Sequence, residues 1–212
     1  MKTRSTKVLV FNGWAAGLET WSLTSFHRDW TFSYLEELDG LPRKVIEDSD
    51  SVVLVGFSMG STIALSQLIE HPEKIEGLAL VSATPRMMED VGWRGFSEHR
   101  MEALRIGTEM VFRGNPSPFY APENLHRGLE YLARTDLRAD LERTIAEHPR
   151  LQSADFPVSI VHSDRDGIVR AENVEYFKRC FPQAEVEFVP GTEHVLPVKA
   201  PDVVDRAVER II

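Results

Sequence analysis

Cysteine is almost absent from this sequence, since Cys180 is the only one among 212 residues. A single thiol excludes an internal disulfide, and sparse cysteine is typical of a reducing compartment, so we predict a cytoplasmic location. Cys180 lies within the stretch Tyr176–Phe181, which favours a packed apolar side chain over a nucleophile. The chain must therefore rely on its core, and 42% hydrophobic residues over this length can form one.

Long apolar runs and basic tracts are also missing. No stretch approaches the ~20 apolar residues of a membrane-spanning helix, and Val8–Phe11 is too short for the core of a signal peptide. The formal net charge is −9, and no basic tract could neutralise phosphates. We therefore expect neither a nucleic acid nor a membrane as partner.

Cofactor and metal motifs do not occur either. The sequence contains no G-x-G-x-x-G, no P-loop, no H-E-x-x-H and no paired cysteines. The adjacent acids Glu36 and Glu37 are interpreted as a solvated helix face rather than as catalytic carboxylates. The expectation is a protein that works without a cofactor or a metal ion.

Short apolar runs alternate with helix-like segments along most of the chain, which is typical of βαβ units and a parallel sheet. Most runs are rich in Val, Ile and Leu without alternation, as expected for strands covered on both faces. The predicted strands are Lys7–Phe11, Thr31–Leu35, Ser51–Gly56, Gly77–Ser82, Val158–His162 and Glu185–Val189. The predicted helices lie near Trp21–Arg28, Pro42–Glu47, Ser58–Glu70, Ala171–Phe181 and Ala200–Ile211. The fold class is therefore α/β, with about six mainly parallel strands flanked by helices.

The alternation stops between residues 85 and 150, after the fourth predicted strand. Helical patterns over Ser97–Val111 and Ala121–Ala133 replace it, and the segment carries ten arginines and no lysine against eleven acids. We interpret residues 85–150 as a helical lid insert, and residues 1–84 and 151–212 as the α/β core.

The motif Gly56-Phe57-Ser58-Met59-Gly60 joins a predicted buried strand to a predicted helix. A G-x-S-x-G in this context is a nucleophile elbow, whose tight turn needs the two glycines and lifts the serine hydroxyl clear of the sheet. The serine also lies at a helix N-terminus, where developing negative charge is favoured. The alternative interpretation is an ordinary strand-to-helix turn.

A serine hydroxyl needs a base that takes its proton, and histidine titrates in the right range. His194 follows the last predicted strand in the loop Pro190–His194. It is therefore expected at the same carboxyl edge of the sheet as Ser58, and it occupies the place of the base in the chain order Ser…Asp…His. A loop histidine without a special role is the alternative.

The group that orients the imidazole is predicted to follow the strand Val158–His162. Asp164 and Asp166 are both candidates. We favour Asp166, because the segment Asp166–Val169 resembles the D-x-x-V turn found after this strand in many hydrolases of this architecture. The other aspartate would then cap a local turn.

Two backbone amides are expected to stabilise a tetrahedral oxyanion. One is the amide of Met59, directly after the serine, and the other is the amide of Trp14, in the loop Asn12–Trp14 after the first strand. Gly13 would let that loop approach closely. We expect the side chain of Asn12 to brace it.

Together these residues resemble the α/β-hydrolase superfamily over nearly the whole chain. Within it they are most similar to the carboxylesterases of biotin synthesis that demethylate pimeloyl-[acyl-carrier protein] methyl ester. The elbow and the predicted triad identify only the superfamily, whereas the following segments point to the subgroup: Asn12–Trp14, Glu19–Trp21, Val81–Pro85, an insert beginning near Trp93, Asp136–Arg138 and Asp166–Val169. Two departures concern the substrate: Asn12 stands where the family usually has histidine, and Glu36–Pro42 replaces the usual D-x-P-G-x-G-x-S loop.

The resemblance implies a serine esterase whose lid arginines hold an acidic acyl-carrier protein that carries the ester. Arg134 and Arg138 are the candidates for that contact, with Arg143 and Arg150 as further ones. Trp93, Phe112 and Phe119 are candidates for lining an acyl channel. Ion pairs on a solvated helix face and packing within the lid are the alternatives for these residues.

Two other functions use the same residues. A general short-chain carboxylesterase or thioesterase would act on small-molecule esters without a carrier protein. A non-catalytic binding module could keep the fold without the reaction, although it would not need Ser58, Asp166 and His194 together.

Overall fold

The computed structural model describes residues 6–87 and 121–212, and the strands of this part form one parallel sheet. The strands are β1 (Thr6–Phe11), β2 (Trp30–Phe32), β3 (Ser51–Phe57), β4 (Ile75–Val81), β5 (Val158–Ser163) and β6 (Glu185–Val189). Their order is β2-β1-β3-β4-β5-β6, and every neighbouring pair is parallel. The predicted α/β fold with six parallel strands is confirmed.

Helices cover both faces of the sheet. They are α1 (Tyr34–Leu38), α2 (Leu41–Glu47), α3 (Met59–Glu70), α4 (Pro122–Arg134), α5 (Arg138–Glu147), α6 (Glu172–Cys180), α7 (Leu196–Lys199) and α8 (Pro201–Glu209). Successive side chains of a strand point to opposite faces. Leu9 and Leu54 accordingly belong to the core that packs on α3, whereas Val8 and Val53 belong to the core on α8. Burial on both faces explains why these strands read as continuous apolar runs.

The predicted strand Thr31–Leu35 is wrong beyond Phe32, where β2 ends. Ser33 caps α1 instead: its hydroxyl accepts a hydrogen bond from the Glu36 amide, and the Glu36 carboxylate accepts one from the Ser33 amide at 2.8 Å. This capping box turns an apolar, aromatic stretch into a helix start.

The predicted helix Trp21–Arg28 is also wrong. A short 3₁₀ helix, Leu18–Trp21, ends at Trp21, where the predicted helix would begin, and irregular chain follows. The carboxylate of Asp205 in α8 accepts from the backbone amide and the hydroxyl of Ser25, at 2.8 and 2.7 Å. These tertiary hydrogen bonds take the place of helical ones.

Of the predicted insert, the structure describes residues 85–87 and 121–150. The predicted helix Ala121–Ala133 is confirmed as α4, and the predicted helix Ser97–Val111 lies outside the described residues. Leu125, Leu129 and Leu132 of α4 pack into the core that faces α3. In the part of the chain described here, the structure contains no helix long and apolar enough to cross a membrane.

Candidate active site

Ser58 lies in a strained turn between β3 and α3. Its backbone has φ 54° and ψ −120°. Residues other than glycine rarely adopt this conformation, which costs about 1–3 kcal/mol. A Cβ atom at Gly60 would lie 2.3 Å from the carbonyl oxygen of Phe11, and one at Gly56 would lie 2.5 Å from the Cα of Ser61. Both glycines of the elbow motif are therefore required by close backbone approach.

The imidazole of His194 connects the predicted serine and acid. Its Nε2 lies 2.8 Å from Ser58 Oγ, and its Nδ1 lies 2.8 Å from an Asp166 carboxylate oxygen. With Asp166 ionised, Nδ1 carries the proton and Nε2 accepts from the serine hydroxyl. All three side chains are buried, so water competes little for these bonds.

Asp166 is held as a carboxylate. Its other oxygen accepts hydrogen bonds from the amides of Ile168 and Val169, each at 2.9 Å. Burial opposes ionisation of the carboxyl, but the hydrogen bond and charge of His194, together with these two amides, keep its pKa below the ordinary value. A side chain with no exposed surface thus carries a stable negative charge beside His194.

Asp164, the other candidate acid, faces the loop that carries His194. Its carboxylate accepts from the amide of Gly191 at 2.7 Å. The hydroxyl of Ser163 donates to the carbonyl of Thr192 at 2.5 Å and ties the same loop to β5. The structure therefore pairs Asp166 with the imidazole and gives Asp164 the turn-fixing contact.

Ser82 is a residue that the sequence did not single out. Its hydroxyl donates to the backbone carbonyl of His194 at 3.0 Å, and its φ of 48° places it in the left-handed region. Ser82 follows β4 directly, between the strand of Ser58 and that of Asp166. Only its position after a strand could have signalled this role.

The two predicted oxyanion amides lie in the expected elements. Met59 is the first residue of α3, so its N–H has no intrahelical acceptor. A Cβ at Gly13 would lie 3.3 Å from the Cβ of Ser58, so the loop Asn12–Trp14 passes directly against the serine. The buried indole of Trp14 donates to the Leu125 carbonyl of α4 at 2.8 Å and anchors that loop to α4.

Asn12 braces this loop through its side chain, as predicted. Its Oδ1 accepts from the indole N–H of Trp21 at 2.7 Å. Its backbone amide donates to Glu37 at 3.0 Å, so the interpretation of Glu37 as part of a solvated face is wrong, although Glu36 is exposed. Tyr34, three residues before Glu37 in α1, is buried on the same side of this helix.

The arginines of the insert differ in their contacts. Arg138 forms a two-pronged ion pair with Asp136, with both N···O distances at 2.9 Å, and this hydrogen bonding lowers the pKa of Asp136. Arg150 donates to the carbonyls of Pro72 and Ile75, which makes it a structural residue.

Arg134 is exposed at the C-terminal end of α4, and Arg143 pairs with Asp140 at 2.6 Å. The predicted channel residues Trp93, Phe112 and Phe119 lie outside the described residues. Among the four predicted carrier-binding arginines, Arg134 is the one without a carboxylate partner in residues 6–87 and 121–212.

A metal site is not evident around these groups. Within the described ranges, no cluster of three or more His, Cys, Asp or Glu side chains is arranged to hold a metal ion. The oxygens of Asp166 that could ligate a cation are already taken by His194 and by two amides. The arrangement instead suits proton transfer from a serine to a histidine.

The chain is similar to known proteins over most of its length. A family model described as the alpha/beta hydrolase family matches residues 12–207. A pimeloyl-[acyl-carrier protein] methyl ester esterase of Xanthomonas axonopodis pv. citri is 27% identical and aligns with 76% of this chain and 70% of its own length. The esterase of the same description from Nitrosospira multiformis is 22% identical over 71% of this chain. The chain spans 64% of the length of that relative.

A solved structure has the same overall fold. A thermophilic esterase from Thermogutta terrifontis superposes with a TM-score of 0.68 at 20% identity, covering 97% of this chain and 89% of that one. At this identity the likeness concerns the fold. The family model extends from the loop after β1 into the last helix, so the match is not confined to the elbow motif. The chain therefore belongs to the alpha/beta hydrolase family.

Proposed function

We propose that this protein is a serine carboxylesterase in which Ser58, His194 and Asp166 act as nucleophile, base and orienting acid. The observation that carries the proposal is the unbroken line of hydrogen bonds, 2.8 Å from Ser58 to His194 and 2.8 Å from His194 to Asp166. Such a line, buried and based on a strained elbow, is one that activates a serine hydroxyl as a nucleophile, and a merely structural turn does not need it.

The reaction follows from these positions. Ser58 Oγ forms a bond to the ester carbonyl carbon while His194 Nε2 takes its proton, and the amides of Met59 and Trp14 hold the resulting oxyanion. The intermediate collapses by breaking the bond to the alcohol oxygen, which receives the proton from His194. Water then attacks the acyl-serine by the same route, which releases the acid and restores Ser58.

A fluorophosphonate probe and a p-nitrophenyl ester test this chemistry. We expect one adduct per chain, located at Ser58 by mass spectrometry, and we expect Ser58→Ala to abolish labelling and to lower kcat by about 10⁴-fold or more. Folded wild-type protein without an adduct would instead favour a non-catalytic binding module.

For the substrate we propose the methyl ester of a pimeloyl chain carried by an acyl-carrier protein. The support is that relatives covering most of this chain carry that description. We further propose residues 85–150 as the lid, with its exposed arginines as the surface for an acidic carrier, because guanidinium groups bind phosphate and carboxylate in a two-pronged way.

Comparison of carrier-bound and free esters tests the substrate. We expect Arg134→Ala to raise KM for the carrier-bound methyl ester while leaving turnover of free p-nitrophenyl esters unchanged. The matched control is Arg43→Ala, an exposed arginine of α2 outside the insert. Equal turnover of both ester types, or failure of the gene to restore biotin-independent growth to a strain lacking its own pimeloyl ester esterase, would favour a general short-chain carboxylesterase or thioesterase.

A further inference from the structure

Glu37 is a buried acid that the proposed reaction does not use. Its side chain projects from α1 into the core, with 7% of the residue exposed. Oε1 accepts the backbone N–H of Asn12 at 3.0 Å. Oε2 is buried without a hydrogen-bond partner in the part of the chain that the structure describes. A buried carboxyl with an unused oxygen is costly, so its place needs an explanation.

The contact with Asn12 compensates for the short strand β2. The parallel pairing of β1 with β2 ends at Phe11 opposite Phe32, and the capping box at Ser33 then turns the chain into α1. The amide of Asn12, directly after β1, therefore has no strand residue to continue the ladder on this side. The Glu37 carboxyl supplies the acceptor that another strand residue would otherwise provide.

Asn12 is also the first residue of the loop that passes against Ser58. A Cβ at Gly60 in the elbow would lie 2.7 Å from the Asn12 carbonyl oxygen, and the Trp21 indole holds the Asn12 side chain. The main chain at Asn12 is thus fixed from three directions, by Glu37, Trp21 and the elbow. Trp14, whose amide is the proposed oxyanion donor, lies only two residues further on, so a displacement at Asn12 would shift that amide.

The direction of the Glu37 pKa shift suits a place near a developing oxyanion. Burial is the main cause that raises its pKa well above the ordinary value of 4.5, and the neighbouring Glu36 acts in the same direction, while the Asn12 hydrogen bond opposes them. A neutral carboxyl accepts the Asn12 hydrogen bond without placing a negative charge behind the oxyanion loop. An ionised one would oppose the charge that the loop is built to stabilise.

We propose that Glu37 is a positioning residue of the oxyanion loop, whose carboxyl holds the main chain at Asn12 so that the Trp14 amide points at the reacting carbonyl. The proposal rests on the proposed esterase function for its kinetic consequence. Its structural part, the fixation of the Asn12 amide by Glu37, stands independently of that function.

Three substitutions at Glu37 test the acceptor role by hydrolysis of a p-nitrophenyl ester. Glu37→Gln keeps an uncharged acceptor of the same length, so kcat should stay within about 3-fold of wild type. Glu37→Leu removes the acceptor, and we expect kcat to fall by about 10- to 100-fold, with KM within about 3-fold, because one oxyanion donor is misplaced. Glu37→Asp, which shortens the reach by one methylene, should lower kcat in the same way and remains informative if the leucine variant does not fold.

The matched control is Glu36→Leu. It weakens the same helix by removing the capping contact with Ser33, but it leaves Asn12 untouched. We expect a lower melting temperature and an unchanged kcat. A kcat of Glu37→Leu and Glu37→Asp equal to that of wild type, or a loss in Glu37→Gln as large as in Glu37→Leu, overturns the proposal.

Hydrogen exchange of backbone amides, followed by NMR, separates this proposal from the proposed function. We expect the Asn12 amide to exchange at least about 10-fold faster in Glu37→Leu than in wild type and in Glu37→Gln. If the wild-type protein neither hydrolyses esters nor reacts with the phosphonate, the esterase proposal fails while this measurement still supports the positioning role. Equal Asn12 exchange in all three proteins overturns it.

Discussion

Two buried carboxyls, those of Asp166 and Glu37, lie on opposite sides of β3, the strand that precedes Ser58. They differ in their hydrogen bonds and in the direction of their pKa shifts. Asp166 follows β5 and Glu37 follows β2, each two strands away from β3 in the sheet. Desolvation is the largest single effect on the pKa of both, and it favours the neutral acid. Nevertheless, the pKa of Asp166 lies below its ordinary value, whereas that of Glu37 lies well above it.

The number of donors explains the difference. Asp166 accepts from two backbone amides and from the imidazole of His194, so its charge is compensated on both oxygens. Glu37 has the Asn12 amide on one oxygen and has Glu36 as a neighbouring like charge. Burial alone therefore does not decide whether an acid near the active site is charged. The hydrogen bonds that the surrounding loops offer decide it.

Replacing each acid in turn by its amide is the strongest test of this difference. Asp166→Asn should lower kcat by about 10³- to 10⁴-fold, because an amide neither stabilises the imidazolium nor enforces the right tautomer of His194. Glu37→Gln should change kcat by less than about 3-fold, because the amide oxygen keeps an uncharged acceptor for Asn12 and the raised pKa of Glu37 already favours the neutral acid. Steady-state kinetics on one ester at pH 7 compare the two, and similar losses in both variants would contradict the different roles assigned to the two acids.

The next largest effect is expected where α4 packs against Trp14 of the proposed oxyanion loop. A Cβ at Gly128 in α4 would lie 2.7 Å from Trp14 Cδ1 and 3.0 Å from Tyr34 Cε2. Gly128→Ala should therefore push α4 off the loop, lower kcat by about 10-fold and destabilise the fold by about 1–3 kcal/mol through overpacking.

The control for this variant is Ala133→Gly, on the same helix and only partly buried. It lowers the helix propensity of α4 by about 1 kcal/mol without adding volume at Trp14. We expect its kcat to equal that of wild type. A loss of kcat in Ala133→Gly as large as in Gly128→Ala would show that general loosening of α4, rather than contact with Trp14, affects the reaction.

The sequence was sufficient wherever a function requires a local pattern. The elbow around Ser58 could be predicted because its backbone needs glycines at fixed positions, and His194 could be predicted because strand order brings loop ends to one edge of the sheet. Asp166 was distinguished from Asp164 only by resemblance. The two hydrogen-bonding patterns that separate these residues depend on loop conformation, which the spacing does not contain.

The sequence was insufficient wherever distant partners override local propensity. The stretch after Trp21 has a helical pattern, but Asp205, 180 residues away from Ser25, takes the amide hydrogen bonds. Glu37 follows Glu36 and has the sequence pattern of a surface acid. In the helix α1, however, the Glu36 side chain is exposed and the Glu37 side chain is buried in the core. Neither outcome can be read from a window of the chain, because each depends on which surface the segment meets in the fold.

A smaller but sharper test uses the pH dependence of stability. The folded pKa of Glu37 is raised, so the native state loses stability relative to the unfolded chain as the pH rises from about 4.5 towards that folded value. The folded pKa of Asp166 is lowered, so its contribution is present above about 3.8 and is lost as the pH falls below that. Of the other groups near Glu37, Glu36 is exposed, and Tyr131, whose pKa is raised to about 12, stays neutral over this range.

Urea unfolding of wild type, Glu37→Gln and Asp166→Asn between pH 3 and pH 8 measures both effects. Glu37→Gln should gain free energy of unfolding over wild type as the pH rises above about 4.5. Asp166→Asn should be less stable than wild type by a constant amount above about pH 3.8, and this difference should shrink as the pH falls below that value. If the difference between wild type and Glu37→Gln is independent of pH, Glu37 has the same pKa in both states.

The smallest expected effect distinguishes Asp166 from its neighbour Asp164. Asp164 accepts a single amide, that of Gly191, in a loop exposed to solvent. An asparagine retains that acceptor, so Asp164→Asn should leave kcat within about 2-fold and cost less than about 1 kcal/mol of stability. The measurement is kcat beside Asp166→Asn on the same ester. Because the two aspartates lie two residues apart in one loop, a general disturbance of this loop would impair both variants alike, and only a role that depends on charge beside His194 predicts a gap of about three orders of magnitude between them.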